Sequence, residues 1–341
     1  MDRVRHRPLR ASGAAALALL LGGCGAPQDF LFPEGPAARR LAELGWTALI
    51  AFSAVTVIVW ILLVVVIARR RGSFSEHAPI DTAPQGIGWI LVGGLIVPVA
   101  VLGAMFVFTL HTLGQFPMGS HSSAADIRVE GRQWWFDAVY TDQGPAGQFH
   151  VPSELHIPVG KPVTIELVTR DVIHSFWVPK LHGKVDLVPG LDNHIRLQAD
   201  RPGVYEGECA EFCGAQHAHM RLRVFADTPA DYARWRAAQM AGAAPPRTPA
   251  ARRGYAVFMA APCAACHTIR GTPAQGQVGP DLTHVGSRTR IAGGSLVNDT
   301  ANLEAWIVHA QSLKPGARMP DIDKLTGAQL RDLTTYLQSL K

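Results

Sequence analysis

Two long apolar stretches dominate the N-terminal third of the chain. Residues 44–67 and 88–110 contain no charged side chain. At 1.5 Å per residue, a helix over the first stretch extends roughly 36 Å, which is enough to span a bilayer with some tilt. Pro98 interrupts the second stretch, and a membrane helix tolerates proline where neighbouring groups satisfy the freed carbonyl. The pattern predicts a transmembrane helical hairpin over residues 44–110; a buried hairpin in a soluble domain is the alternative.

Positive charges predict the orientation of this hairpin. Arg69, Arg70 and Arg71 stand in the short loop between the two stretches. Short loops rich in arginine stay in the cytoplasm. We therefore expect the N-terminus and everything after residue 111 to lie outside the cytoplasm.

The first residues are typical of an export signal. Four arginines precede an apolar run over residues 14–21, and two glycines precede Cys24. This resembles a bacterial lipoprotein signal, in which residues 1–23 are removed and Cys24 is lipidated; a plain signal peptide is the alternative. Removing four arginines and one aspartate lowers the formal charge from +5 to +2. Residues 24–43 would then form an N-terminal segment outside the membrane.

Between residues 126 and 225, apolar and polar residues alternate as they do in β-strands. Short Pro/Gly turns, such as residues 158–162, separate the alternating runs. The alternation predicts an antiparallel sandwich or barrel over residues 120–226. His174 follows one predicted strand, and Cys209 begins the loop before the last one. We expect these remote residues to meet at one rim of a rigid β-domain.

The C-terminal third is predicted to be helical. Residues 227–250 form a linker, which is helical around residues 232–240 and then broken by glycine and prolines. Residues 251–341 form a separate domain. Thr326 and Gln329 make a capping box for the last helix, which presents leucines on one face at positions 330, 333, 337 and 340.

Composition supports a mixed, exported chain. Hydrophobic residues make up 48% and charged residues 17%, which favours a membrane-embedded part. The odd number of cysteines, five, argues against a simple disulfide framework. Residues 250–341 carry ten Lys/Arg against six Asp/Glu (+4), and residues 120–226 carry ten against thirteen (−3). These opposite signs favour docking of the two domains, although unplanned surface charge is an equal alternative.

A dense group of metal-binding side chains lies in residues 209–220. It holds Cys209, Cys213, His217 and Met220, and His174 adds a further imidazole. Thiolate, imidazole and thioether together favour copper, and two thiolates can bridge two copper ions. A Cys2His2 zinc site with Met220 as ordinary core is the alternative. His219 competes with His217 for the same role.

The segment Cys263-Ala-Ala-Cys266-His267 is the attachment pattern of a c-type haem. The two thiols form thioethers to the haem, and the histidine binds the iron. Met319 is the predicted sixth ligand, with His284, His309 and Met259 as competitors. Methionine opposite histidine raises the reduction potential, which suits electron transfer toward a strong acceptor.

These motifs together resemble a known family. The hairpin, the barrel, and the segments 131–134, 174–179, 184–186 and 209–220 resemble subunit II of the haem-copper cytochrome c oxidases. The segments 254–258, 263–267, 279–282 and 319–320 resemble a class I cytochrome c. The resemblance implies a multi-domain protein: a transmembrane helical hairpin, an all-β cupredoxin-like barrel, and an all-α class I cytochrome c domain.

The resemblance also implies roles for individual residues. Cys209 and Cys213 would bridge the two copper ions of a CuA centre, and Trp134 would receive electrons. The other CuA ligands would be His174, His217, Met220 and the backbone carbonyl of Glu211. The Glu211 side chain would contact a magnesium ion shared with subunit I. The carbonyl of Pro280 would orient His267 beside the haem.

The chain departs from the family at two places. The aromatic run reads Trp134-Trp135-Phe136, whereas many relatives end this run in tryptophan. Many relatives also carry a glutamate three residues before the tryptophan of the second span, where this chain has Gly86 before Trp89. Either Glu76, His77 or Asp81 would substitute for this glutamate, or proton uptake would not use this subunit.

The expected function is that of an enzyme subunit. Electrons would pass from cytochrome c through the haem c and CuA to subunit I, which would reduce oxygen with proton translocation. Subunits I and III and membrane lipid are the expected partners, with no nucleic acid. The expected location is the bacterial plasma membrane, with two spans and both redox domains on the periplasmic side. The alternatives are an electron-transfer subunit of another reductase, such as a nitric oxide reductase, and a copper-handling protein.

Overall fold

The computed structural model describes residues 27–70, 86–116, 124–141, 144 and 147–341. Cys24, the export signal and most of the hairpin loop lie outside these residues. Helix α1 spans Pro36–Arg70, and the second apolar stretch forms α2 (Ile87–Leu91), a π-helical turn (Val92–Ile96) and α3 (Val97–Gly114). Both are long and apolar enough to cross a membrane. The first begins well before the apolar stretch because Pro36 is a favourable first residue of a helix.

The π-helical turn lies immediately before Pro98. Proline cannot donate a backbone hydrogen bond and clashes with the preceding turn, and a local π turn is a common way to relieve this. Gly93 and Gly94 lie inside the turn. The second helix therefore continues through the proline without ending.

Ten strands form two five-stranded sheets in the region that was predicted to be β. One sheet has the order β3-β2-β1-β5-β8 and the other β4-β10-β9-β6-β7. The strands of the first half are β1 (Ile127–Arg132), β2 (Trp135–Tyr140), β3 (Phe149–Pro152), β4 (Glu154–Pro158) and β5 (Val163–Thr169). Those of the second half are β6 (His174–Trp177), β7 (Val185–Leu187), β8 (Asn193–Leu197), β9 (Gly203–Cys209) and β10 (Arg221–Asp227).

The prediction of purely antiparallel pairing is wrong at two places. Strand β1 pairs with β5 in parallel, and β4 pairs with β10 in parallel. Alternation along a strand reports which face is buried, but it carries no information on the direction of the neighbouring strand. The alternation itself is confirmed, since β5 is buried at every second position.

The linker helix α4 (Pro229–Met240) packs on the β-domain. The ring of Trp235 stacks on His156 with their centroids 4.0 Å apart, and it also meets Tyr140 at 5.2 Å. Thr228 caps the helix by accepting a hydrogen bond from the Asp231 amide. The first half of the linker is therefore part of the β-domain's surface.

The C-terminal domain is built around two packed helices. These are α5 (Pro249–Ala260) and α9 (Gly327–Ser339), and the Thr326/Gln329 capping box is confirmed. A Cβ on Gly254 would lie 2.0 Å from the Asp332 carbonyl oxygen, so only glycine permits this close crossing. The remaining elements are α6 (Cys263–Cys266), β11 (Arg290–Ile291), β12 (Leu296–Val297), α7 (Thr300–Val308) and α8 (Ala310–Leu313).

The two domains share a polar interface. The buried carboxylate of Glu154 in the β-domain accepts hydrogen bonds from the backbone amides of Thr289 (2.8 Å) and Arg290 (3.2 Å). On the same interface, the Arg221 amide donates to the Gly293 carbonyl at 3.0 Å. Hydrogen bonds to the backbone fix relative position more closely than charge attraction alone.

Candidate metal centre and haem cavity

Six potential donor atoms converge where β9 ends and the loop before β10 begins. The sulfurs of Cys209 and Cys213 are 3.7 Å apart, and both side chains are buried. The Glu211 carbonyl oxygen lies 3.3 Å from the Cys209 sulfur, and the Met220 sulfur lies 3.9 Å from the Cys213 sulfur. Each thiol also has its own neighbouring imidazole.

The two imidazoles stand beside different sulfurs. Nδ1 of His174 is 3.8 Å from the Cys209 sulfur, and Nδ1 of His217 is 3.6 Å from the Cys213 sulfur. His219 is exposed, and its Nδ1 lies 2.8 Å from Oε1 of Gln216. Of the two competing histidines, His217 thus faces the sulfurs.

The donor set fits a pair of soft metal ions. Two thiols lie between two imidazoles, and a thioether and a carbonyl oxygen lie at the periphery. Met220 is fully buried with its sulfur against Cys213, so the thioether belongs to the site. Zinc sites are built from thiolate, imidazole and carboxylate, whereas thioether sulfur suits copper. The arrangement therefore favours copper over the zinc alternative.

The two thiols differ in their acidity. The contact with Cys213, assisted by His174 and opposed by burial, lowers the pKa of Cys209 to about 3. The same contact, together with burial, raises the pKa of Cys213. Cys209 is therefore the more acidic thiol of the pair, and metal binding to both sulfurs would displace the proton of Cys213.

Asp171 is a partner of His174 that the sequence analysis missed. Its Oδ1 lies 2.8 Å from Nε2 of His174. Burial opposes ionisation of Asp171, but hydrogen bonds from His174 and from the Gln133 and Val172 amides lower its pKa to about 2. The ionised carboxylate accepts from Nε2–H, which leaves Nδ1 free to face the thiols. An acidic residue three positions before a histidine is too common to have signalled this role.

Gly131 makes room for the same imidazole. A Cβ at this position would lie 2.8 Å from Cδ2 of His174. Strand β1 therefore approaches the histidine ring as closely as a bare backbone allows. In the sequence alone, Gly131 stands out only as part of the segment 131–134, which resembles the family.

The segment Cys263–His267 borders a large cavity between the two domains. The cavity encloses about 1350 Å³ of space, which includes the solvent-filled opening at its mouth. Cys263, Cys266, His267 and Met319 all line it. The cavity is thus walled by the four side chains that a covalent haem with histidine and methionine ligands requires.

Backbone groups of Gly279 and Pro280 hold the His267 ring in place. Its Nδ1 donates a hydrogen bond to the Pro280 carbonyl at 2.8 Å, which leaves Nε2 as the free acceptor. A Cβ on Gly279 would lie 2.5 Å from Cε1 of the ring, so the Gly279 backbone packs flat against it. Burial lowers the pKa of His267, and the neutral imidazole is the form that binds a metal.

The competitors of Met319 lie elsewhere. His284 is buried with Nε2 3.1 Å from the Ala241 carbonyl oxygen, and His309 is exposed. Met259 is half-buried against the helical core of the domain. Among the residues that the structure describes, Met319 is the one of these four that lines the cavity.

Trp134 lies between the two sites. Its ring lines the cavity, and its Nε1 donates a hydrogen bond to the Cys213 carbonyl at 2.9 Å. Gln133 donates to the same carbonyl at 2.8 Å. Trp134 is 9% exposed, and Gly316 of the C-terminal domain lies against its ring. A single buried side chain thus touches both the haem cavity and a copper-site residue.

Two family patterns match this chain. Residues 125–226 match the periplasmic domain of cytochrome c oxidase subunit II, and residues 251–341 match cytochrome c. The chain is 34% identical to cytochrome c oxidase subunit 2 of Alkalihalophilus pseudofirmus, covering 95% of both chains. It is 31% identical to the same subunit of Bacillus sp. (strain PS3), again covering 95% of both.

One solved structure is similar to part of this chain. The periplasmic domain of subunit II of cytochrome oxidase from Bradyrhizobium japonicum is 28% identical and covers 34% of this chain and 95% of that domain, with a TM-score of 0.32. The two near-full-length relatives decide the assignment. The chain belongs to the cytochrome c oxidase subunit II family and carries a C-terminal cytochrome c domain.

Proposed function

We propose that this chain is the subunit of a cytochrome c oxidase through which electrons enter the enzyme. It would accept electrons from an external cytochrome c on its own haem c, pass them to a CuA centre, and deliver them to subunit I for oxygen reduction and proton translocation. The observation that carries this proposal is the position of Trp134, which touches both the haem cavity and the Cys213 carbonyl.

The copper centre would be held by the converging donor atoms. Cys209 and Cys213 would bridge the two ions, with His174 and His217 each binding one. Met220 and the Glu211 carbonyl would be the weak ligands. A copper pair held in this way would supply one-electron transfer with little rearrangement of the residues around it. Asp171 keeps the His174 ring oriented, and the buried surroundings exclude water.

The haem would be attached to Cys263 and Cys266, with His267 and Met319 as its axial ligands. The covalent haem supplies a one-electron carrier of raised potential. Pro280 and Gly279 hold the His267 ring in place from the opposite side. Because Trp134 is covered by the haem domain, an external donor would meet the haem domain first.

The two apolar helices would anchor the subunit in the bacterial plasma membrane as two spans. Both redox domains would then lie on the outer side, with Cys24 lipidated as a second anchor.

The Glu211 side chain would contact a magnesium ion at the interface with subunit I. Gly86 has a φ of 105°, which favours glycine over the glutamate of many relatives.

Purification of the membrane complex tests the proposal. We expect CuA absorption bands, a c-type haem bound to this chain, and an a-type haem in a copurifying large subunit. A variant with both Cys209→Ser and Cys213→Ser should lose the CuA bands and keep the c-type haem. Absence of CuA bands from the wild-type complex, or absence of the a-type haem, would contradict the proposal.

A further inference from the structure

Lys314 is a buried lysine at the interface of the two domains. It belongs to the haem domain, is 4% exposed, and uses all three ammonium hydrogens on backbone carbonyls. Its Nζ donates to Trp134 at 2.8 Å, to His219 at 2.9 Å and to Ala292 at 2.9 Å. Burial lowers its pKa to about 7. Burying an ammonium group is costly unless hydrogen bonds compensate for it, as the three carbonyls do here.

The carbonyls that Lys314 binds in the β-domain belong to the redox machinery. Trp134 is the residue whose indole connects the haem cavity with Cys213. His219 lies in the loop that carries His217 and Met220. A single ammonium group therefore holds both the tryptophan backbone and the loop of copper-site residues.

The segment that follows Lys314 runs along the interface to the haem cavity. The Pro315 carbonyl accepts a hydrogen bond from Nε2 of Gln216, a buried residue of the copper-site loop, at 2.9 Å. A Cβ on Gly316 would touch the Trp134 ring at 3.4 Å. Met319 then lines the haem cavity. The segment 314–319 thus connects the wall of the haem cavity with the copper-site loop.

We propose that Lys314 is a positioning residue that holds the 314–319 segment against Trp134 and the copper-site loop, and thereby sets the rate of electron transfer within the subunit. This inference rests on the proposed function. The step moves one electron from the reduced haem to the oxidised copper pair, with no bond made or broken. An external cytochrome c then reduces the haem again. The positional requirement explains why a costly buried charge occupies an interface.

The test compares Lys314→Met with the matched control Lys324→Met, which removes an exposed lysine of the same domain. In the purified holo-complex, a photoexcited reductant reduces the haem, and haem reoxidation and copper reduction are followed at their own bands. Lys314→Met removes three hydrogen bonds to a charged group, and the loss of even one of them corresponds to roughly tenfold in the equilibrium between the seated and the displaced 314–319 segment. We therefore expect Lys314→Met to slow transfer about tenfold or more, and Lys324→Met to match wild type.

Spectra and potentials separate positioning from structural damage. We expect the haem and copper bands and both reduction potentials of Lys314→Met to equal those of wild type while the rate falls. An unchanged rate, or a loss of either cofactor, would overturn the proposal. If Lys314→Met does not fold, Gln216→Leu removes the neighbouring Pro315 contact and decides instead by the same criteria. A wild-type complex without copper bands, or without transfer, would refute the proposed function itself.

Discussion

The carboxylate of Asp171 meets the imidazole of His174 with 2.8 Å between Oδ1 and Nε2, and the opposite ring nitrogen lies 3.8 Å from the Cys209 sulfur. The backbone amides of Gln133 and Val172 also donate to this carboxylate at 2.8 Å and 2.7 Å. The carboxylate is thus fixed on three sides. It holds the ring so that Nδ1 points toward the thiols.

Asp171→Ala is expected to weaken copper binding by about 10–100-fold, the usual cost of removing the hydrogen-bond partner of a metal-bound histidine. The measurement is a competition titration of copper against a chelator, followed by the CuA absorption bands. Asp171→Asn is the matched control, because its amide oxygen can still accept from Nε2–H. Equal affinities for wild type and Asp171→Ala would refute this role.

The two histidines of the copper-site loop give opposite predictions. His217→Ala is expected to abolish the two-copper spectrum, because its Nδ1 faces the Cys213 sulfur at 3.6 Å. His219→Ala should keep that spectrum, because the imidazole is exposed and contacts Gln216. Electron paramagnetic resonance of the oxidised protein separates a shared-electron pair from a single copper. The reverse result would make His219 the ligand.

Met319→Ala is expected to remove the low-spin histidine–methionine signature of the haem, because Met319 lines the cavity. The covalent attachment through Cys263 and Cys266 should persist. The measurement is the near-infrared absorption and the reduction potential of the c-type haem. Met259→Ala is the control, since that side chain packs against the helical core. A signature that survives in Met319→Ala would return the role to His284 or His309.

Gly279→Ala is expected to impair haem incorporation, because the new methyl group would lie 2.5 Å from Cε1 of His267. The ring would have to turn, and the hydrogen bond to Pro280 would weaken. The readout is covalently bound haem per polypeptide after expression. Gly327→Ala is the control, since its methyl group would meet only the mobile end of Arg331 at 3.3 Å. Equal haem content in both variants would contradict the expectation.

The pair His150–Asp137 should make stability depend on pH. The hydrogen bond to Asp137, opposed by burial, raises the pKa of His150 above its unfolded value. The stabilisation of the folded protein by this pair is therefore complete below the pKa of histidine in the unfolded chain, about 6.5. It is lost as pH rises through the pKa of His150 in the folded protein. Arg132 and Asp281 also act on this imidazole and remain in the variant. The Tm advantage of wild type over His150→Gln should shrink as pH rises above about 6.5; an advantage that stays constant would contradict the assignment.

Several features were predictable because their signals are local. The cysteines and histidine of the haem attachment lie within five consecutive residues, and the copper-site loop spans residues 209–220. Long apolar stretches report membrane helices, and the capping box reports the start of the last helix. Strand direction was mispredicted at two pairings, because alternation is the same for parallel and antiparallel neighbours.

The sequence by itself determined the family and the order of the β-domain and the cytochrome c domain, and it predicted the donor side chains, because spacing along the chain constrains local chemistry. Only the tertiary structure decided which histidine faces the sulfurs, that Asp171 supports His174, and that Lys314 holds the interface. Lys314 is separated from Trp134 by 180 residues and from His219 by 95. No local pattern encodes such contacts, because they arise when two folded domains pack against each other.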